Sequence, residues 1–532
     1  MLRKIGMLGA AVAALVLAGC GGTNSPTAKV ATSTQRGTLV VNPALRVASV
    51  NAADFAAQLN ATASGPQLLQ LAGTPACGVD FYYIRYMTVG PDNSAQPATA
   101  ALMVPTGSAA PCTGARPIVL YAHGTTTDSH YNLANISDTT NSANSESALI
   151  AAVFAAQGYI VVAPNFLGYD QSTLGYHPYV NGAENAIVMM DALTAARTAL
   201  LSTFTPTTSD SGKLYVTGYS EGGYVAMATV KAMQAGGVSV TASAPASGPY
   251  ALEAFGDAIF FGQVNIGSTE FAPLVTTSYQ HAYGNVYSQT SDVYSSTYAS
   301  GIDTLLPNVT PIGTLFSSGK LPQTTLFNST TPTSATGIPQ VDGAADQLLA
   351  KPTSPPYSAE QATLFGLGFG SPYLINDSFR VAYVDDAVIN GDQAEMTLLG
   401  GGTLNSGTVA LAATSMVGLR KDFALNDMRA GGWSPQEPML MCGGDQDPTV
   451  YFQNAQIMAA LWTPYVQGGL VSVLDLNGAP QANNPFAPLQ VALQQEEAQL
   501  LAAQGVAAVA AFHGAEAPFC MVAARGFFAQ VP

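Results

Sequence analysis

One serine stands in a setting that suits a catalytic nucleophile. Ser220 is the centre of the segment GYSEG at residues 218–222, which follows the apolar run LYVT and precedes the helical pattern GYVAMA. A serine on so sharp a turn from strand to helix needs very small neighbours two residues before and after it, and Gly218 and Gly222 meet that need. Such a turn exposes the hydroxyl above the carboxyl edge of a sheet, where it could attack an acyl carbon.

A serine hydroxyl attacks only when a base accepts its proton, and the chain offers five histidines. His123, His130 and His177 precede the serine, whereas the base follows it in folds that carry the nucleophile on a strand-turn-helix. His281 lies in a tyrosine-rich segment, before any strand that could present an acid. We therefore predict His513 as the base, near the C terminus, where the final loop of such a sheet falls.

The acid that orients the histidine is expected on the loop after a late strand. The apolar run PMLMC at residues 438–442 opens onto the loop GGDQDPTV, which contains two aspartates. Asp447 has the better surroundings, because it stands in a G-x-x-D-x-x-V pattern. We predict Asp447 as the acid, with Asp445 as the alternative.

Attack on a carbonyl creates an oxyanion, which two main-chain N–H groups have to stabilise. Glu221, directly after the serine, would supply one of them, and the loop HGTT after the third strand of the core would supply the other. We predict Thr125 for the second donor, with Gly124 as the alternative, and assign His123 to shaping the loop. Since neither metal-ligand spacing nor a nucleotide-binding glycine loop stands beside these motifs, we predict no metal and no cofactor.

Alternating strand and helix patterns would position these residues. The predicted strands lie at 80–89, 99–104, 117–122, 159–163, 214–217, 438–442 and 471–474, and the predicted helices lie at 146–157, 184–200 and 488–504. Such alternation indicates a mostly parallel sheet with helices on both faces, which is an α/β fold.

The alternation stops between residues 249 and 379. From Ser220 to Asp447 the chain runs 227 residues, roughly 130 more than a few further strand and helix units would need, so we predict an inserted lid or cap over the site. Five tyrosines in this stretch recur at spacings that would place them on one face of a helix, where most would pack the cap onto the core. They are Tyr279, Tyr283, Tyr287, Tyr294 and Tyr298.

The N terminus has the pattern of an export signal. Arg3 and Lys4 precede an apolar run at residues 5–18 that is too short for a membrane span and is typical of a signal peptide. The run ends in LAGC, which resembles the lipobox of bacterial lipoproteins. That resemblance implies removal of residues 1–19, a diacylated Cys20 that binds the membrane, and a flexible tether over residues 20–60. Gly21, in place of aspartate, favours the outer membrane or the cell surface.

The remaining four cysteines are expected to pair in an oxidising, extracytoplasmic compartment. Three pairings are possible. We predict Cys77 with Cys112 and Cys442 with Cys520, because the predicted fold brings the segments of each pair together.

The composition limits the class of protein and of partner. Of 532 residues, 9% are charged and 48% are hydrophobic, and the formal net charge of −16 arises from a shortage of Lys and Arg. These values exclude a disordered acidic chain, a coiled coil and a nucleic-acid binder. A surface so poor in cations favours a neutral or apolar substrate over an anionic one.

Taken together, these motifs resemble the α/β-hydrolase superfamily, and within it the secreted lipases and carboxylesterases with a large lid. The resemblance rests on HG at 123–124, GYSEGG at 218–223, the pattern at 444–450 and the late histidine, and covers about residues 75–532. It implies an α/β-hydrolase core at 61–248 and 380–532 around a lid at 249–379.

The function that follows is a lipid-anchored, extracytoplasmic serine hydrolase that cleaves neutral carboxylic esters through an acyl-enzyme. The same residues would serve a serine peptidase of the superfamily, which is one alternative. A surface binding protein with an inactive hydrolase fold is the other.

Overall fold

A nine-stranded sheet forms the centre of the computed structural model, which describes residues 35–203, 207–354 and 356–531. The strands in these residues are β1 (Leu45–Val50), β2 (Gly78–Val89), β3 (Ala95–Thr106), β4 (Gly114–Ala122), β5 (Ile160–Pro164), β6 (Thr208–Tyr219), β7 (Ala242–Ala246), β8 (Phe327–Asn328), β9 (Phe369–Gly370), β10 (Met439–Gly443) and β11 (Val471–Asp475). Strands β8 and β9 pair only with each other. The other nine form the main sheet.

The main sheet is mostly parallel, in the order β1-β2-β3-β5-β4-β6-β7-β10-β11. From β5 to β11 every neighbouring pair is parallel, while β1, β2 and β3 are joined antiparallel at one edge. Across the centre, Ala122 aligns with Gly218, Tyr219 with Ala246, and Ala246 with Cys442. The loops that follow β4, β6, β7 and β10 therefore leave the sheet side by side at its carboxyl edge.

Helices flank the sheet and build a separate layer above it. They are α1 (Ala52–Asn60), α2 (Gly65–Ala72), α3 (Asn144–Val153), α4 (Gly182–Thr203), α5 (Glu221–Ala235), α6 (Leu252–Phe260), α7 (Ser268–Tyr283), α8 (Ile312–Ser317), α9 (Pro339–Leu349), α10 (Ala359–Gly366), α11 (Asp377–Ile389), α12 (Gln393–Leu399), α13 (Gly418–Asn426), α14 (Gln453–Trp462), α15 (Ala487–Gln504) and α16 (Phe512–Phe528). Helices α4 and α5 pack on each other and on the sheet, and α16 packs on β6, β7 and β10.

The seven strands and three helices predicted from the sequence are all present, and the α/β-hydrolase fold is confirmed. Central strands are continuous apolar runs because both of their faces are covered, and the side chains at 118–122 and 160–163 are fully buried. Strand β7, with the sequence ASAPA, was not predicted. Ala, Ser and Pro have a low strand propensity, so the strand conformation of β7 depends on its pairing with β6 and β10.

The cap is longer than the sequence pattern indicated. We predicted a cap at 249–379 and a return to the core at 380, but within the described residues the main sheet resumes only at Met439. Helix α11 packs on α6 and α9, and α13 packs on α6 and α7, so the residues after 379 continue the same helical layer. We use the word cap for residues 247–438.

Buried ion pairs hold the second half of the cap onto the first. Arg420 on α13 places Nη2 2.7 Å from Oδ2 of Asp257 on α6 and so joins the two halves directly. Arg429 places Nη2 2.7 Å from carboxylate oxygens of Asp392 and Asp427 within the second half, and Asp427 accepts a hydrogen bond from the main-chain N–H of Glu253 on α6 at 3.1 Å. All of these side chains are almost fully buried. Because an unpaired buried charge is strongly unfavourable, the pairs specify how the later helices sit on α6.

The predicted tyrosine face does not form a single helix. Helix α7 ends at Tyr283, where Gly284 adopts a φ of +69° that favours glycine. Only Tyr279 and Tyr283 of the five tyrosines lie on α7. Tyr279 is fully buried and its hydroxyl donates to the main-chain oxygen of Val180, 3.1 Å away, so this tyrosine does join the cap to the core.

The N-terminal predictions are only partly covered by the structure. The signal peptide at 1–19 and Cys20 lie outside the described residues. Within the predicted tether at 20–60, strand β1 pairs with β2, and α1 buries Phe55 and Leu59. The tether prediction was therefore wrong from Arg36 onwards, because Arg36 pairs with Asp191 and the N–H of Gly37 donates to the main-chain oxygen of Met87.

Both predicted disulfides are present, Cys77 with Cys112 and Cys442 with Cys520. Cys442 stands in β10 and Cys520 in α16, so this bond ties the strand before the acid loop to the helix that carries His513.

The described part of the chain contains one helical stretch long and apolar enough to cross a membrane, Ala487–Phe528, by length and composition alone. Helix α16, its second half, packs on the sheet and is held by the Cys520 disulfide. We therefore interpret this stretch as part of the core.

Candidate active site

Ser220 occupies a strained turn between β6 and α5. Its φ of 61° and ψ of −126° lie in a region that residues other than glycine rarely adopt, which is typical of functional sites. A Cβ at Gly218 would lie 2.5 Å from the main-chain oxygen of Ala122, and one at Gly222 would lie 2.0 Å from the same atom. Only glycine fits at these two positions, as the motif predicted.

Ser220, His513 and Asp447 form one hydrogen-bonded chain. Nε2 of His513 lies 2.9 Å from Oγ of Ser220, and Nδ1 lies 2.6 Å from Oδ2 of Asp447. The Asp447 side chain is 1% exposed, whereas that of His513 is 15% exposed and faces the cleft. This arrangement can move a proton from the serine to the imidazole while the carboxylate stabilises the resulting charge.

The structure separates the two candidate acids. Oδ1 of Asp447 accepts hydrogen bonds from the main-chain N–H groups of Thr449 and Val450, at 2.8 and 3.1 Å, which fix the carboxylate and leave Oδ2 for His513. Asp445 is exposed, and its main-chain N–H donates to Asp475 on the neighbouring strand. Of the two aspartates, only Asp447 contacts the histidine.

His513 does not lie on a loop, contrary to our expectation. It is the second residue of α16, which begins at Phe512 and packs along the sheet. The segment was not predicted as a helix, because Gly514 and Pro518 are unfavourable in helix interiors. Both fall in the first two turns, and the disulfide and packing on the sheet hold the helix in place.

The loop after β4 lies beside Ser220, where we predicted the second N–H donor for an oxyanion. Gly124, the alternative donor, is already engaged, because its N–H donates to Oε1 of Glu146 at 3.1 Å. In the described part of the chain, no acceptor is found for the main-chain N–H of Thr125 or Glu221. Thr125 and Glu221 therefore remain the candidates for the oxyanion donors.

Glu146 is a site residue that sequence reasoning missed, since we treated it only as the start of a helix. Tyr121 donates to its Oε1 at 2.6 Å, together with Gly124, and Tyr131 donates to its Oε2. These bonds hold the oxyanion loop against α3. No short sequence motif predicts these hydrogen bonds, because the partners of Glu146 are 15 to 25 residues away.

A second buried carboxylate supports the nucleophile turn. The side chain of Glu221 lies 2.6 Å from Nε2 of His177, both side chains are fully buried, and Nδ1 of His177 contacts the main-chain oxygen of Leu167 at 2.8 Å. This pair anchors the first turn of α5, whose N–H groups face the site. We had excluded His177 as the base, and its two ring nitrogens contact Leu167 and Glu221, whereas the serine hydroxyl contacts His513.

His123 has the local role assigned to it. Its Nδ1 contacts the main-chain oxygen of Gly124 at 2.7 Å, and its ring stacks on Phe166 with centroids 4.0 Å apart. Burial lowers the pKa of His123, which favours the neutral ring.

The cleft above Ser220 is closed on one side by the cap. Glu270 and Phe271 at the start of α7 line it. Burial raises the pKa of Glu270 to about 7. Among the described residues no hydrogen-bond partner is found for this carboxyl, and the sequence analysis did not identify it.

An apolar cavity lies behind the cleft and is lined mostly by residues of the cap. Phe271 lines both this cavity and the cleft. The hydroxyl of Tyr179, which lines the cavity, lies 3.0 Å from Oγ1 of Thr125, which lines the cleft. On the other side, Nδ2 of Asn265 in the cavity wall donates to the main-chain oxygen of Thr449 at 2.6 Å. The two spaces are therefore separated by a single layer of side chains.

One group of potential metal ligands occurs in the described residues, and it contains triad members. Ligand atoms of Asp447, His513 and Glu516 lie within 4.8 Å of one another. The first two are bonded to each other at 2.6 Å, so an ion ligated by both would have to break that bond. The donor set therefore fits the proton-transfer chain better than a metal.

The fold and the constellation are together those of a serine hydrolase of the α/β-hydrolase superfamily. The sequence profile of the prolyl oligopeptidase family matches residues 145–242, from α3 to β7, which include Ser220. A comparison with curated proteins finds no significant match.

Two solved structures are similar over nearly the whole chain. One is a ligand-bound form of the rice cell wall degrading esterase LipA from Xanthomonas oryzae, with 23% identity, a TM-score of 0.64, and coverage of 93% of this chain and 98% of that one. The other, from Legionella pneumophila, is assigned as a hydrolase and has 18% identity, a TM-score of 0.59, and coverage of 92% and 97%. Likeness at this level of identity shows a shared fold.

Proposed function

We propose that the protein is an extracytoplasmic serine esterase that hydrolyses neutral carboxylic esters through an acyl-enzyme. The observation that carries the proposal is the hydrogen-bonded chain from Ser220 through His513 to Asp447 at the floor of an open cleft. The main-chain N–H groups of Thr125, which lines the same cleft, and of Glu221, directly after Ser220, have no acceptor among the described residues.

Acylation follows from this geometry. Oγ of Ser220 attacks the ester carbonyl carbon as Nε2 of His513 takes the hydroxyl proton, and Asp447 stabilises the imidazolium. The carbonyl oxygen becomes an oxyanion held by the N–H groups of Thr125 and Glu221. When the tetrahedral intermediate collapses, the bond to the alcohol oxygen breaks, and the alcohol leaves with the proton from His513.

Deacylation repeats these steps with water. His513 takes one proton from a water molecule, whose oxygen attacks the acyl carbon of the ester on Ser220. Collapse of the second intermediate releases the carboxylic acid, and the proton returns from His513 to the serine oxygen. No cofactor takes part in either half of the reaction.

The apolar cavity supports an ester with an alkyl acyl chain. Its lining is predominantly aliphatic and aromatic, and it begins one side-chain layer from Thr125, where the carbonyl oxygen would bind. An acyl chain that passes Phe271 would leave water for an apolar space, which stabilises the bound ester. The net charge of −16 and the esterase activity named for LipA of Xanthomonas oryzae also agree with a neutral ester.

Chain-length dependence tests this function. We expect p-nitrophenyl butyrate to be cleaved with a kcat/KM about tenfold above that of the acetate, because each buried methylene contributes roughly 0.8 kcal/mol. The substitution Ala272→Phe would fill the cavity from α7 and should lower kcat/KM for the octanoate while the acetate stays near the parent value.

Ala282→Phe serves as the matched control, because Ala282 lies on the same helix but not in the cavity wall. Equal losses for acetate and octanoate in Ala272→Phe would argue against an acyl site in this cavity. Failure to cleave any ester in the series would argue against the esterase itself.

Cleavage of aminoacyl or peptide amides is the second candidate. It is supported by the match of residues 145–242 to the prolyl oligopeptidase family and by Glu270, whose unpaired carboxyl in the cleft could bind a substrate ammonium group. Aminoacyl anilides belong in the same substrate series. Faster cleavage of these anilides than of esters, with loss of that preference in Glu270→Gln, would favour the peptidase.

We further propose that Cys20 carries a lipid that tethers the enzyme to the outer membrane or cell surface. The two disulfides support an oxidising compartment. We expect Cys20→Ser to abolish lipid labelling and to release the protein from the membrane fraction, with esterase activity unchanged. Membrane-bound, lipid-labelled Cys20→Ser protein would contradict the assignment.

A further inference from the structure

Glu516 lies directly behind the triad, three residues after His513 on α16, and is 1% exposed. Its Oε1 accepts hydrogen bonds from the hydroxyl of Tyr219, at 2.6 Å, and from the hydroxyl of Ser247. A carboxyl oxygen of Glu516 also lies within 4.8 Å of a carboxylate oxygen of Asp447. One side chain thus connects the ends of β6 and β7, the acid loop after β10, and the helix of the base.

The second oxygen of this carboxyl faces the start of the acid loop. A Cβ at Gly444 would lie 2.4 Å from Oε2 of Glu516. A larger residue at 444 would clash with this oxygen and with Oδ1 of Asn477, so the glycine leaves room for the carboxyl beside the acid loop. The hydroxyls of Ser247 and Tyr219 both lie against Oε1, although the Tyr219 hydroxyl also contacts the main-chain oxygen of His513, so Oε2 is the oxygen left to carry a proton.

The surroundings of Glu516 favour its uncharged form. The titratable groups that face it are Tyr219, Tyr250, Asp447 and His513, and no Lys or Arg within the described residues forms an ion pair with it. Two adjacent buried carboxyls cannot both ionise without a large cost, and Asp447 has the imidazole and two main-chain N–H groups to stabilise its charge. Burial, with the Asp447 charge, raises the pKa of Glu516 well above its usual range.

We propose that Glu516 is a positioning residue, a neutral carboxylic acid that donates a hydrogen bond to Asp447 and holds that carboxylate toward His513. The inference relies on the proposed function only for its kinetic readout. Glu516 itself touches neither the ester nor the serine; it acts through Asp447.

Three variants test the proposal. Glu516→Ala should lower kcat by about 10- to 100-fold, the effect of losing a hydrogen bond to a charged group, with KM little changed. Glu516→Gln is neutral and can both donate and accept, so it should recover most of kcat and keep the acid limb of the pH–rate profile where it is. Glu395→Ala is the matched control and should keep kcat near that of the parent, because Glu395 is a buried carboxyl on α12 of the cap that bonds to Gln263.

Infrared difference spectroscopy gives a readout that needs no substrate. At neutral pH, parent minus Glu516→Gln should show the carbonyl band of a protonated carboxylic acid. Absence of that band, or a shift of the acid limb to lower pH in Glu516→Gln, would mean that Glu516 is ionised and would overturn the inference. So would an unchanged kcat in Glu516→Ala. If Glu516→Ala does not fold, Glu516→Gln and the spectrum still decide, even for a protein that cleaves no ester.

Discussion

Ser220→Ala is expected to lower ester turnover by on the order of 10⁶-fold, because the triad acts as a unit and loses its nucleophile. The fold should be retained, because the change removes only one hydroxyl group. The strained turn at residue 220 stays possible, since Gly218 and Gly222 still leave room for it. Turnover of p-nitrophenyl butyrate and the thermal unfolding midpoint are measured together. The rate that remains above the uncatalysed rate in water would measure the contribution of substrate binding and the oxyanion donors.

Ser243→Ala is a suitable control, because Ser243 is fully buried in β7 and remote from the triad's hydrogen bonds. It should keep the activity of the parent. Ester turnover by Ser220→Ala at the parent rate would remove the serine from the mechanism. A parent protein that binds esters without cleaving them would instead favour the alternative of an inactive surface binding protein.

The nucleophile could be predicted because its requirements are local. A strand, a tight turn and a helix need Gly218 and Gly222 within two residues of Ser220, and the structure shows both glycines against the main-chain oxygen of Ala122. The central strands were equally predictable, since burial on both faces leaves a continuous apolar run in the sequence. These features depend on neighbours along the chain.

The supporting acids Glu516 and Glu146 could not be predicted, because their hydrogen bonds form only when the chain folds and follow no sequence motif. Glu516 meets Tyr219 across 297 residues and Ser247 across 269. Glu146 is close to its tyrosines in sequence, but only the loop's folding brings them together. A buried carboxylate and an exposed one look alike in a sequence, and the difference lies in which hydroxyls and N–H groups surround it.

The extent of the cap was underestimated for a related reason. We placed the return to the core at residue 380, although the next predicted strand begins only at residue 438. The deciding contact is the buried ion pair of Arg420 on α13 with Asp257 on α6, which attaches these helices to the first part of the cap. Charge pairing across 163 residues, as between Arg420 and Asp257, leaves no periodic signal.

Asp447→Asn is expected to lower kcat by about 10⁴-fold, because an amide favours the wrong tautomer of the histidine and cannot stabilise the imidazolium. The carboxylate oxygen 2.6 Å from Nδ1 of His513 is the group that is lost. The acid limb of kcat/KM against pH should also move to lower pH, since an imidazolium without a neighbouring anion loses its proton more readily. Both effects are read from one pH series on p-nitrophenyl butyrate.

Asp445→Asn is the matched control on the same loop, two residues away. Asp445 is exposed and makes no contact with His513, so neither kcat nor the acid limb should change appreciably. If Asp445→Asn is the inactive variant and Asp447→Asn the active one, Asp445 is the acid of the triad. In that case the proposed hydrogen bond from Glu516 to Asp447 would have no role in catalysis, while the roles of Ser220 and His513 would be unchanged.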